Sequence, residues 1–227
     1  MKIIALILAR GGSKGVPKKN IKLLDGKPLL SYVLEQAKQC EFFDEIVVST
    51  DDDEIMNYML NHGGPRTTTI LRPAELATDE SKSIDAVKHA LSVVDADYIV
   101  LLNVCTPLTK ATDIANCVKM ALETKADSVV SLVEDFSCHP TKLCALSKDG
   151  TFTKVADFNF ETGERQQQWK CHKRNTAIYL AKKEVIMSGT FFGKDTRGYV
   201  MPKERSWDIN DQMDFDICEF LIKRNEN

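Results

Sequence analysis

Apolar and polar positions alternate between two rhythms along this chain. Ile3–Ala9 is a continuous apolar run, and Glu45–Thr50 (EIVVST) and Tyr98–Val104 (YIVLLNV) repeat that character. Short unbroken runs of this kind predict strands buried on both faces. Between them, Leu30–Gln39 places Leu30, Val33, Leu34 and Ala37 at helical spacing, and Ser83–Val94 does the same with Ile84, Val87, Ala90 and Leu91. The acidic stretch Asp51–Glu54 suits the N-terminus of a further helix, which stops near Gly63-Gly64-Pro65. Thr68–Leu71 is a candidate short strand, and Thr112 is a candidate cap for a helix carrying Ile114, Val118 and Leu122. Asp127–Leu132 (DSVVSL) predicts another strand. Alternation of strands with helices implies an α/β fold, with a mostly parallel central sheet flanked by helices, and such sheets bind ligands at the carboxyl ends of their strands.

The rhythm changes after Val133. Leu143–Ser147 and Thr151–Val155 flank Lys148-Asp149-Gly150, a hairpin signal, and polar Glu161–Gln168 follows. Residues 134–174 therefore read as a small antiparallel insertion within a single domain covering 1–227. Asn175–Ala181 returns to core-strand character, Gly198–Met201 is a short strand, and Met213–Lys223 is a closing helix expected to turn Met213, Ile217, Phe220 and Leu221 inward.

Composition narrows the function classes. With 43% hydrophobic and 28% charged residues the chain has globular composition. Thirty basic against 33 acidic side chains give a net charge of −3, which argues against non-specific nucleic-acid binding but leaves room for a local basic cluster. The seven cysteines include no CxxC pair, so a reducing, cytoplasmic setting is expected rather than a disulfide or zinc scaffold. The opening apolar run is at the lower length limit for a signal peptide, lacks an A-x-A site and runs straight into Arg10, and no stretch reaches the ~18 apolar residues of a membrane span.

The first strand ends in ARGGSKGVPKKN, Ala9 to Asn20. Gly11, Gly12 and Gly15 let the backbone turn tightly and approach a ligand, while Arg10, Lys14, Lys18 and Lys19 supply positive charge with no acid among residues 10–20. That pattern suits a polyphosphate, with Arg as a fork and Lys as a mobile point charge. Neither GxxxxGK[ST] nor GxGxxG is present.

LARGGSKGVPKKN resembles the opening loop of the CMP-sialic acid synthetases, the N-acylneuraminate cytidylyltransferases. The likeness continues in VSTDDDEI (Val48–Ile55), LRPAELATDESKSI (Leu71–Ile84), LLNVCTPL (Leu101–Leu108), HPTK (His139–Lys142), NTAIYL (Asn175–Leu180) and ERSWDINDQMDF (Glu204–Phe215). The resemblance implies a nucleotide-diphospho-sugar transferase-like, Rossmann-like fold. It also implies transfer of CMP from CTP to the anomeric C2 hydroxyl of a nonulosonic acid, with release of pyrophosphate. It gives Arg10, Lys14 and Lys19 to the triphosphate, puts Ser13 and Asn20 against the nucleotide, and places Arg72 and Ser83 near the cytidine. On residue type alone, an arginine before Pro73 at a strand end reads as a surface residue, and Ser83 as a helix cap.

Magnesium is the implied cofactor. The strand YIVLL runs into Asn103-Val104-Cys105 with no carboxylate, so Asp208 in SWDIND is the candidate ligand, with Asn210 standing where the family has a second Asp. Arg10, Lys19 and Asp208 are the expected catalytic set.

For the sugar acid the resemblance offers Asn103, Lys142, Arg165 and Lys173. Asn103 replaces a usual Gln, Lys173 a common Arg, Thr109 a frequent Arg and Thr176 a frequent Gly. These departures point to a nonulosonate other than N-acetylneuraminate. The family is homodimeric, so Lys142 and Arg165 are expected to act across the interface. His139 and His172 receive no role, and Cys105 reads as a small buried residue rather than a nucleophile. The rival readings are a Kdo-type or other sugar nucleotidyltransferase, against which the missing carboxylate after YIVLL counts, and a non-catalytic nucleotide-binding homologue.

Overall fold

The computed structural model describes residues 1–13, 15–155 and 170–226. Strand β1 (Ile3–Leu8) forms where six apolar residues follow one another, and it becomes an inner strand. The tight Asp25-Gly26 turn, with φ of 48° and 78°, closes a small ladder between β2 (Leu23–Leu24) and β3 (Lys27–Pro28) that the apolar pattern had not marked. Helix α1 (Leu29–Gln39), β4 (Glu45–Thr50), α2 (Asp53–His62) and β5 (Thr67–Leu71) follow, then α3 (Ser83–Val93), β6 (Tyr98–Leu102), α4 (Ala111–Thr124) and β7 (Ser128–Glu134). A hairpin of β8 (Cys144–Leu146) and β9 (Phe152–Lys154) lies where the sequence placed it. The chain closes with β10 (His172–Lys182), α5 (Lys183–Met187), β11 (Thr196–Val200) and α6 (Gln212–Glu226).

The main sheet has seven strands in the order β11-β7-β10-β6-β1-β4-β5. Every neighbouring pair is parallel except the two that involve β10, which runs antiparallel to β6 and β7. β10 starts at His172, so Lys173 and Arg174 pair with β7 in the main sheet rather than standing in the inserted unit.

Period-two alternation divides the core. Ile3, Ala5 and Ile7 pack with residues of α1, α4 and α6 on one face, whereas Ile4 and Leu6 pack with α3 and Ile186 of α5 on the other.

Two further expectations are corrected. α4 starts at Ala111, and its first turn is closed by the Asp113 carboxylate accepting from the Lys110 backbone N–H at 3.1 Å, not by a Thr112 cap. In α6 the buried face is Phe215, Cys218 and Ile222, while Met213 and Phe220 are exposed. The apolar residues of α6 spread around the helix, and the stripe facing the sheet begins two residues later than the pattern suggested.

Among the described residues no helix is long and apolar enough to cross a membrane.

Candidate functional site

The parallel strands deliver their C-terminal loops to one edge of the sheet. Arg10 follows β1, Asp51 and Asp52 follow β4, Arg72 follows β5 and Asn103 follows β6. From β1 the chain moves outward to β4 on one side and later returns to β6 on the other, so the crevice between β1 and β6 is the topological switch point. A cleft of about 260 Å³ opens there, lined by Arg10, Asn20, Arg72, Ser83 and Asn103 together with the 76–82 segment. Five of the expected residues, drawn from separate stretches of chain, thus share one cavity.

Each is held for a physical reason. Asn20 is buried and donates from Nδ2 to the Arg10 carbonyl at 2.8 Å, closing the glycine loop on itself. Arg72 is 5% exposed, not a surface residue; its Nε donates to Ser49 Oγ at 3.0 Å and its Nη2 to Ser49 O at 2.5 Å. Burial pulls the Arg72 guanidinium below its ordinary range, and the like charge of Arg10 adds to this. A desolvated cation of this kind gains from any anion or acceptor that enters the cleft. Ser83 stands at the first position of α3, whose N-cap Lys82 makes no side-chain cap. The Asn103 amide donates from Nδ2 to the Thr176 carbonyl.

Thr176 sits at a bulge between Arg174 and Tyr179, with φ of 61°. That left-handed conformation suits glycine, the residue the resemblance puts at this position, and strains a β-branched side chain. Buried side chains hold the bulge in place: Ser131 Oγ donates to Asn175 Oδ1 at 2.6 Å and accepts from the Ile178 N–H at 2.8 Å.

Tertiary structure brings acids to the loop that its own sequence lacks. Gly11 N–H donates to Asp51 Oδ1 at 3.1 Å, Arg10 pairs with Asp79 at 2.7 Å, and Lys18 pairs with Glu54 at 2.6 Å. Lys19 is different, since its ammonium donates to the Ile209 carbonyl at 2.6 Å. Gly15 also touches this segment, because a Cβ there would lie 2.0 Å from Asn210 O. The glycine loop and the Asp208 segment are therefore packed backbone to backbone. Arg205 anchors the same segment from behind, donating at 2.8 and 2.7 Å to the fully buried Asp113 carboxylate of α4, to which Tyr199 adds its hydroxyl at 3.2 Å.

Asp208 Oδ1 is buried with no hydrogen-bond partner among the described residues. Cys105 lies beside this carboxylate; burial drives its thiol far above the ordinary range and the charge of Asp208 adds to the rise, which disfavours the thiolate that a nucleophile needs. Exposed Asn210 turns its amide N–H back to the Asp208 carbonyl at 3.1 Å. Among the described residues no group of three or more His, Cys, Asp or Glu could hold a metal. A single carboxylate with an orphaned buried oxygen beside a cationic glycine loop fits magnesium, which takes one or two carboxylates and completes its shell with phosphate and water.

The remaining expected residues are elsewhere. Ser13 is half-buried in the loop, and Lys14 and Arg165 lie outside the described residues. Lys142 lines a separate hollow of about 360 Å³ with Glu134, Asp135 and Lys203, its ammonium 5.5 Å from the Phe136 ring centre. Lys173 pairs with Asp135 at 2.7 Å. Sequence reading also missed an aromatic cluster beyond the bulge, in which Tyr179 packs on Phe191 and Phe192 and Arg174 stacks over Phe192. Its signal was present as the Phe191-Phe192 pair, but only the fold brings that pair to β10.

The model of the cytidylyltransferase family matches residues 4–183. The chain belongs to the cytidylyltransferase family. This family member is 37% identical to the N-acylneuraminate cytidylyltransferase of Escherichia coli O18:K1:H7, over all of this chain and 53% of that protein. It is 32% identical to N-acylneuraminate cytidylyltransferase A of Danio rerio, over 98% of this chain and 51% of the relative. The chain thus spans about half the length of those two relatives. It matches post-translational flagellin modification protein B of Campylobacter coli nearly end to end, with 32% identity over 97% of this chain and 95% of the other. Among solved structures, CMP:2-keto-3-deoxy-manno-octonic acid synthetase complexed with CTP superposes with a TM-score of 0.75 at 16% identity, covering 99% of this chain and all of that one. The 4-diphosphocytidyl-2C-methyl-D-erythritol synthase of Anaerococcus prevotii follows with a TM-score of 0.67 at 12% identity, covering 98% of this chain and 99% of that one. At these identities the likeness to the two structures is one of fold.

Proposed function

We propose that this cytidylyltransferase moves CMP from CTP to the anomeric C2 hydroxyl of a nonulosonic acid, releasing pyrophosphate. The observation that carries the reading is the single cleft at the switch point, where Arg10, Asn20, Arg72, Ser83 and Asn103 converge beside the glycine loop. CTP lies with its base toward Arg72 and Ser83 and its phosphates along the loop toward Arg10 and Lys19. The sugar hydroxyl oxygen attacks the α-phosphorus and gives its proton to solvent water, a C–O–P bond forms, and the bond to the β-phosphate oxygen breaks in line. Charge then builds on the departing pyrophosphate, where Arg10 and Lys19 neutralise it. Lys19 keeps N–H groups for this while one holds the Ile209 carbonyl. Asp208, with Asn210 beside it, would hold magnesium, which when bound supplies further charge neutralisation at the phosphate oxygens.

The acceptor is a nonulosonate other than N-acetylneuraminate. Asn103 and Thr176, two departures from the family pattern, meet in one hydrogen bond at the edge of the cleft. The near end-to-end relative is named for flagellin modification rather than for N-acylneuraminate, which supports the same reading.

The active form is a homodimer. Leu146 and Phe152 face each other across the β8–β9 ladder, 73% and 65% exposed, and Leu143 and Val155 are exposed beside them. A two-stranded ribbon with apolar residues on both faces needs a covering surface, and a second copy supplies one. Lys142 then serves the partner's site. All seven cysteines are free thiols, in keeping with a cytoplasmic location.

The test is pyrophosphate release from CTP and magnesium across a panel of nonulosonic acids. Turnover is expected with a legionaminic- or pseudaminic-type acid above that with N-acetylneuraminate. Best turnover with N-acetylneuraminate overturns the acceptor assignment, and no release with any acid overturns the activity.

A further inference from the structure

The arginine at the head of the glycine loop is already engaged. Arg10 Nη1 donates to the Thr78 carbonyl at 2.7 Å and to the Ala77 carbonyl at 3.4 Å, while Nη2 donates to Asp79 Oδ1 at 2.7 Å. The segment bearing Asp79 keeps its own shape: Ser81 Oγ donates to the Glu75 carbonyl at 2.8 Å, and the Thr78 N–H donates to Ser81 Oγ at 3.1 Å. Leu76, Thr78, Asp79 and Ser81 form one wall of the same cleft as Arg72 and Ser83. A carboxylate on a guanidinium uses the planar, charge-assisted fork that a phosphate oxygen uses. A ligand phosphate that takes the Nη2 edge of Arg10 does so by replacing Asp79.

We propose that Asp79 is an internal stand-in for phosphate, which occupies Arg10 and yields it to the pyrophosphate end of a nucleoside triphosphate. The inference rests on the nucleotide reading of the cleft. Arg10 and Asp79 side chains are 32% and 39% exposed, so the pair is worth only about two- to fivefold in affinity. That is weak enough for a triphosphate to displace and strong enough to leave a ligand without phosphates indifferent to it. After bond breakage the carboxylate returns to Arg10 as pyrophosphate leaves.

The experiment is calorimetric titration of CTP, inorganic pyrophosphate and cytidine into the wild-type protein, Asp79→Asn, Arg10→Ala and the double variant. Asp79→Ser repeats the test should Asp79→Asn fold poorly. The expected result is about two- to fivefold tighter CTP and pyrophosphate binding in Asp79→Asn, with cytidine unchanged and no gain when Arg10 is already alanine. Unchanged or weaker CTP binding in Asp79→Asn overturns the proposal. So does a gain that persists in the Arg10→Ala background or extends equally to cytidine, since either shows a general charge effect. A wild-type protein that binds no CTP overturns the nucleotide reading and this inference with it. Wild-type binding with no gain in the variant overturns this inference alone.

Discussion

Gly15 has no room for a side chain, because a Cβ there would meet the Asn210 carbonyl oxygen and no flexible side chain can give way. Gly15→Ala must push the loop away from the Asp208 segment. A displacement of about 1 Å in a loop that positions a reacting group costs on the order of a hundredfold in rate. The expected result is therefore about that loss in kcat/KM for CTP, with the fold retained at a cost of about 1–3 kcal/mol in stability; unchanged kcat/KM would show that the two segments need not meet. Glu45 offers a test away from the site. Its hydrogen bond to Lys2 at 2.8 Å, aided by one from Thr68 at 2.5 Å, holds its carboxyl below the ordinary range. A depressed carboxylate stabilises the fold fully above its unfolded-state pKa and ceases to do so as pH falls through the folded value. Glu45→Gln should thus cost about 1 kcal/mol at neutral pH, and the gap to wild type should close as pH drops below the ordinary glutamate range; a gap that is constant with pH contradicts the assignment. At this scale the sequence showed which cations gather at the loop. It did not show Asp79 or Glu54 against them, or Asp51 on the Gly11 N–H, because those carboxylates arrive from other parts of the chain only when the sheet assembles.

Among the elements, β10 carries the clearest conflict between local preference and tertiary demand. Thr176 accepts a left-handed backbone that costs a side-chain-bearing residue roughly 1–2 kcal/mol. Its position is fixed by the Ser131–Asn175 network and by the amide of Asn103. Thr176→Gly removes that cost and adds some chain entropy to the unfolded state, so a net gain of about 0.5–1 kcal/mol is expected in denaturant unfolding. A destabilised variant would mean that the Thr176 hydroxyl, which donates to the Asn175 carbonyl at 2.8 Å, outweighs the strain. The bulge itself was not legible, since NTAIYLA reads as an ordinary buried strand. Strands with continuous apolar runs were legible nearly to the residue: Glu45–Thr50 is β4 as read, and Ile3–Ala9 ends one residue early as β1. Both are buried on both faces, where hydrophobic pattern alone decides. The face of α6 was not legible, because Met213 and Phe220 match Phe215 and Ile222 in hydrophobicity and only packing against the sheet separates them.

For the whole molecule, the proposed dimer rests on the β8–β9 ribbon. Leu146 and Phe152 contribute little to the core of their own chain, being exposed, so the double variant Leu146→Glu, Phe152→Glu should leave thermal stability of the isolated chain within about 0.5 kcal/mol. In sedimentation it should shift the protein from dimer to monomer, and a variant that sediments as wild type contradicts a dimer built on this ribbon. The division of the expected residues follows the same logic. Arg10, Arg72, Ser83 and Asn103 share a cleft, whereas Lys142 stands apart among Glu134 and Asp135, poor company for a sugar carboxylate within its own chain. Resemblance in sequence identified both groups, but it held no record of which would face which. The most direct measurement of the central claim is phosphorus NMR of protein, CTP, magnesium and a nonulosonic acid followed over time. The resonances of CTP should give way to a phosphodiester signal, in which the α-phosphorus is joined to the sugar, and to pyrophosphate in equal amount. Intact CTP with every acid, or its conversion to CDP and orthophosphate, would contradict the account.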